Sequence, residues 1–143
     1  PMDINFGGKV HGGAVMKWID QVSFACATNW SGSYCVTIYV GGIRFHKPIQ
    51  IGDLVKIDAK VIYTGKTSMH IMVDVMCKNL RTDADYTKTT HCIIVFVAVN
   101  QQGEPVDVPE WLPVSEEEIK LRDYAVRLKM LRKDIEDEMA PFK

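Results

Sequence analysis

With 143 residues, 47% of them apolar and 24% charged, the chain is long enough for one domain with a real core and has an ordinary globular composition. Its formal net charge of -1 gives no general attraction for nucleic acid or an anionic membrane, so neither is expected as a partner. No apolar run is long enough to cross a bilayer, and no secretory leader pattern precedes one.

A glycine-rich loop, Asn5-Phe6-Gly7-Gly8-Lys9-Val10-His11-Gly12-Gly13, leads into a segment that is apolar on nearly every side as far as Asn29. The pattern predicts a helix that starts at Gly12 or Gly13 and is broken by Trp30-Ser31-Gly32-Ser33. Lys17 and Asp20 are its only charges. A helix that is apolar all round is expected to be buried, and a carboxylate on it must then be paired, hydrogen-bonded or used.

Four strand-like runs follow. Tyr34 to His46 is rich in β-branched and aromatic residues, and Gly41-Gly42 predicts a bulge or bend within it. After a turn from Pro48 to Asp53, the run from Leu54 to Tyr63 alternates, with Val55, Ile57, Ala59 and Val61 facing one way. Thr64-Gly65-Lys66 is a hairpin-type turn, and Thr67 to Asn79 alternates again through Met69, Ile71, Val73, Val75 and Cys77. Arg81 to Asp85 reads as a polar loop. The fourth run, Thr87 to Asn100, contains the unbroken apolar stretch from Cys92 to Val99, expected of a strand covered on both faces.

Beyond the proline-punctuated segment from Val106 to Val114, Ser115 and Glu118 are spaced as a capping box. Leu121, Tyr124, Leu128, Leu131 and Ile135 then form one narrow apolar stripe on an otherwise charged helix. Such a stripe suits docking on the sheet's outer face or on a neighbouring subunit. One long helix, a run of antiparallel strands and a terminal amphipathic helix make an α+β domain.

Cys26, Cys35, Cys77 and Cys92 lack CxxC spacing and sit in apolar surroundings, so they read as reduced core thiols of a cytoplasmic protein. His11, His46, His70 and His91 are scattered, and no metal site is expected.

Asn5, Gly8, Val10, His11, Gly12, Gly13 and Asp20 fall in one register. With them fall Val36-Thr37, Phe45 with Pro48 and Gly52-Asp53, and the turn Thr64-Gly65-Lys66-Thr67-Ser68. Over roughly residues 1 to 109 this pattern resembles the hotdog-fold acyl-CoA thioesterases, the bacterial and brain-type acyl-CoA hydrolase family. Lys9 departs from it, standing where the family usually has Asn or Asp, and the family normally has a further segment ahead of Pro1.

The resemblance implies a hotdog domain over residues 1–113, with residues 114–143 as an added amphipathic helix. It also implies hydrolysis of fatty acyl-CoA with no cofactor other than the coenzyme A of the substrate. Asp20 would act on water or on the thioester carbon, and Asn5 would hold the water or the carbonyl oxygen from another subunit. The backbone N–H groups of Gly12 and Gly13 would polarise the carbonyl. Gly65, Lys66, Thr67 and Ser68 would meet the coenzyme's phosphates, with Arg81 added on charge alone, and His11 would be a substrate-binding residue with a structural role rather than a general base. A homo-oligomer follows, a dimer at least and a hexamer built as a trimer of dimers. Two rivals share the fold. A dehydratase would need a His-Phe-Pro loop, whereas His46 is followed by Lys47-Pro48. A non-catalytic acyl-thioester sensor is the other.

Overall fold

The computed structural model describes residues 8–143. Helix α1 (Gly12–Ser31) is followed by strands β1 (Tyr34–Phe45), β2 (Leu54–Thr64), β3 (Ser68–Lys78) and β4 (Thr87–Val99), then helix α2 (Glu116–Met139) and a single 3₁₀ turn (Ala140–Phe142). The strands form one antiparallel sheet in the order β1-β4-β3-β2. None of the described helices is long and apolar enough to cross a membrane.

Alternation decides what each face buries. Met69, Ile71, Val73, Val75 and Cys77 of β3 point to the α1 side, as do Cys92, Ile94, Phe96 and Ala98 of β4. There they meet Val15, Ile19 and Ala27 of α1, and this is the main core. Glycine 32 ends α1 in a left-handed conformation (φ 69°), donating its N–H to Thr28 O at 2.8 Å, which is the usual glycine solution at a helix C-terminus.

The expectation that α1 is buried all round is corrected. Ala14, Val15, Ile19, Ser23 and Ala27 are buried, but Met16, Lys17, Asp20, Gln21 and Ala25 are exposed on the protomer. One sheet covers one side of a helix, so Asp20 on the other side lies in the open.

The predicted bulge in β1 is present, with register shifts between Thr37 and Tyr39 and between Gly41 and Arg44. A further shift in β2, between Val61 and Tyr63, was not foreseen. Ile62 faces away from α1 by alternation from Val61, as its place in the run predicts, and is fully buried there with Ile93 and Ala125, while the extra residue brings Tyr63 onto the same face. Leu121, Tyr124 and Leu128 pack on this second cluster, so α2 lies across the face away from α1.

The intervening segment carries the chain from one face to the other. Val106 N donates to Ala98 O (2.9 Å), Val108 N to Lys66 O (3.0 Å) and Trp111 N to Thr64 Oγ1 (2.9 Å). Trp30 Nε1 on α1 donates to Pro109 O at 2.8 Å.

The capping box is complete: Ser115 Oγ accepts from Glu118 N at 3.1 Å, and Glu118 Oε1 accepts from Ser115 N at 3.1 Å. The N–H groups of Val114 and Ser115 hold the Glu118 carboxyl below its ordinary range. Ser115→Ala should cost about 1 kcal/mol, read as a lower urea midpoint with an unchanged slope.

Candidate active site at the mouth of the first helix

Helix α1 opens without a side-chain cap. His11 is its N-cap, in extended conformation, and its carbonyl accepts from Ala14 N (3.0 Å) and Val15 N (3.2 Å). The N–H groups of Gly12 and Gly13 fall in the first turn, where helix geometry provides no acceptor. A Cβ on Gly12 would stand 3.5 Å from the Phe45 ring, while one on Gly13 would stand in open space. None of the described residues therefore obstructs approach to the Gly13 backbone, at the positive end of the helix dipole. The loop ahead is anchored where Val10 N donates to Ile49 O at 2.8 Å. His11 is exposed and makes no capping bond.

Asp20 is seven residues beyond Gly13. At roughly 1.5 Å of rise per residue the two lie about 10 Å apart along the axis. Asn5 lies outside the described residues.

The remaining predicted residues divide between the two ends of the sheet. Gly65, Lys66, Thr67 and Ser68 form the β2–β3 turn, closed by Gly65 N donating to Ser68 O at 3.0 Å. Ser68 Oγ occupies the place where a Gly65 side chain would be, since a Cβ there would lie 2.6 Å from it. Register puts this turn beside Val97 of β4, whereas Phe45, at the helix mouth, pairs with Thr90. Seven residues of strand separate the two, roughly 23 Å. Within one subunit the turn and the helix mouth do not converge. Arg81 sits at the mouth's end, exposed on the β3–β4 loop, its N–H donated to Asn79 Oδ1 at 2.9 Å.

Two further features lie elsewhere. Strand β1 is an edge strand along which Tyr34, Val36, Ile38 and Val40 are exposed, Tyr34 by 65% and Ile38 by 53%. On the α2 face, His91 bridges Asp74 Oδ1 (2.6 Å from Nδ1) and the Tyr124 hydroxyl (2.8 Å from Nε2). Burial pushes the Asp74 carboxyl up, but His91 and then Lys88, at 3.3 Å, outweigh it and hold the carboxyl below its ordinary range. The sequence reading treated these histidines only as scattered. The available signal was that His70, Asp74 and His91 occupy the alternate, non-core positions of adjacent strands.

The thioesterase superfamily model matches residues 7–84. An uncharacterized acyl-CoA thioester hydrolase of Bacillus subtilis, YkhA, is 33% identical over 94% of this chain and 77% of its own length. The acyl-CoA hydrolase of Staphylococcus aureus, solved in complex with butyryl coenzyme A and coenzyme A, superposes with a TM-score of 0.89 at 27% identity, covering 99% of this chain and 86% of that one. That hydrolase has also been solved with alanine replacing an asparagine, an aspartate fifteen residues later and a threonine seventeen beyond that. A hexameric thioesterase of Yersinia pestis superposes with a TM-score of 0.71 at 31% identity, covering 78% of this chain and 89% of its own. The fold is the α+β hotdog that the motifs implied.

Proposed function

The chain belongs to the thioesterase superfamily, and we propose that it hydrolyses acyl-CoA to a free fatty acid and coenzyme A. The observation that carries this reading is the mouth of α1, where Gly12 and Gly13 offer backbone N–H groups and the space beside Gly13 is clear of the described residues. A thioester carbonyl seated there develops negative charge toward two fixed donors and the helix dipole. Water adds its oxygen to the carbonyl carbon and the carbon–sulfur bond breaks. The proton that water loses passes through Asp20 to the departing sulfur.

Asp20 cannot serve the mouth of its own helix. A carbonyl about 3 Å from the Gly13 N–H remains roughly 10 Å short of it along the axis. The acid must come from a second copy, which accords with its open position on the protomer. Edge strand β1 supports such pairing, because an unpaired edge with an apolar row is a template for strand addition. Hexameric relatives support a trimer of such dimers. The β2–β3 turn, far from its own mouth, would meet the coenzyme's phosphates at another subunit's site, while Arg81 adds positive charge at the near end.

The alanine variants of the staphylococcal enzyme support the same residues. Asn5, Asp20 and Thr37 are separated here by the same fifteen and seventeen residues. Asn5 then orients water or the carbonyl oxygen. Thr37, exposed on β1 just before its first bulge, joins the site as a hydroxyl to which the sequence reading gave only a place in the register. The proposed step draws only on water, backbone N–H groups and side chains, so it calls for no metal. Among the described residues no three His, Cys, Asp or Glu side chains are grouped to hold one.

Incubation with acyl-CoA of several chain lengths should release free thiol, and the release should survive a chelator. Binding without release would favour the sensor, and loss that zinc restores would overturn the metal-free chemistry.

A further inference from the structure

A cavity of about 210 Å³ lies between the α2 face of the sheet and α2 itself, on the opposite side of the sheet from the helix mouth. Ile93, Val95 and Leu128 give it apolar walls, Lys129 and Arg132 line it with positive charge, and His70 reaches it from β3. Among the described residues no Asp or Glu lines it.

His70 is only 3% exposed, and neither of its ring nitrogens has a hydrogen-bond partner among the described residues. A neutral imidazole carries one donor and one acceptor, and an interior site that leaves both unmade is incomplete by itself. The ring is held neutral: burial, then the charges of Arg132 and Lys129, lower its pKa to about 4.

Arg132 is the second group of the site. Its side chain is only 17% exposed, and its carboxylate partner among the described residues, Glu136, approaches Nε at 3.6 Å. The guanidinium carbon stands 5.1 Å from the Tyr39 ring centroid, and a guanidinium is the side chain best matched to a planar carboxylate. The wall behind is fixed, since His91 is pinned between Asp74 and Tyr124.

We propose that this cavity is a binding site for a small carboxylate whose apolar body is slightly larger than a benzene ring. The carboxylate takes hydrogen bonds from Arg132, Lys129 and the His70 ring, and the body lies on Ile93, Val95 and Leu128. A closed apolar cavity of roughly 150 Å³ holds benzene, so the space here also admits a short carboxyl arm. Aromatic acids and short fatty acids share this chemistry, and the second kind would be products of the proposed reaction. The proposal does not depend on that reaction, because the cavity is on the other side of the sheet.

The test is titration of the full-length protein with phenylacetate and with hexanoate, following the His70 side-chain ¹⁵N resonances and the heat of binding. At least one acid should saturate with movement of the His70 signals. Binding should weaken about tenfold or more in Arg132→Gln and for the matching neutral amide. Phenylacetate alone binding identifies an aromatic acid, and hexanoate alone identifies a product-type acid. If neither acid moves His70, or the amides bind as well as the acids, the cavity holds only water and the proposal fails.

Discussion

Replacing Asp20 with asparagine should leave a folded oligomer that still binds acyl-CoA and turns it over about 10²–10⁴ times more slowly, the usual worth of a positioned acid–base group. The side chain is exposed on the protomer, so its removal withdraws no contact from the core. Asparagine keeps the size and the hydrogen bonding and removes only the negative charge. If the rate is intact, the mechanism above is wrong.

Mixing is the sharper measurement. Asn5→Ala and Asp20→Asn protomers, each nearly inactive alone, can exchange to dimers with one doubly damaged site and one intact site. Activity should recover to a sizeable fraction of wild type. Confirmed exchange without recovery would mean that the acid and the asparagine come from the same chain.

The second large effect is on stability in acid. His70 titrates near 4 in the folded protein against 6.5 ordinarily, because burial and the cations Arg132 and Lys129 oppose its charged form. Between those values the unfolded chain binds a proton that the folded one refuses, so stability is full above about pH 6.5 and falls as pH falls toward 4. At fixed protein concentration the loss from pH 7 to pH 5 should be about 2 kcal/mol. Asp74, held low by His91, contributes stability that is lost only at lower pH, below the ordinary carboxylate value, so the two windows separate. His70→Phe keeps the ring volume and removes the titration. Denaturant curves at pH 7 and pH 5 should then differ by much less, and an unchanged difference would assign the acid sensitivity to another group.

The parts of this molecule legible in its sequence are those set by period and by local rules. The alternation of Val55, Ile57, Ala59 and Val61 marks a core face, Ser115 with Glu118 marks a helix start, and Gly41-Gly42 marks a bend. The bulge at Ile62 was not legible, because an isoleucine between a valine and a tyrosine is unremarkable in a strand. The exposure of Asp20 was not legible either. Composition says that a helix is apolar, but only the sheet says which side of it is covered.

The same limit explains the outer cavity. His70 lies on β3, His91 on β4, and Lys129 and Arg132 on α2, and nothing local in the chain announces that these elements meet. The helix-mouth motif was more legible because Gly12, Gly13 and Asp20 lie on one short stretch, although in the proposed site Asp20 comes from a second copy. The turn around Gly65 carried its motif but not its location, some 23 Å from the mouth by strand register.

The bare flank of β1 bears on how the protein comes into being. A newly made copy emerges with twelve residues of strand bordered on one side by none of the described strands, and with Tyr34, Val36, Ile38 and Val40 exposed along it. In the proposed dimer a second copy covers this edge, and until then the copy is adhesive to any other chain with a spare strand. The length of this solitary interval is set by how many copies are made at once and how near to one another. Abundance thus acts as a protective variable for this fold: scarce copies stay sticky for longer, and plentiful ones cover each other.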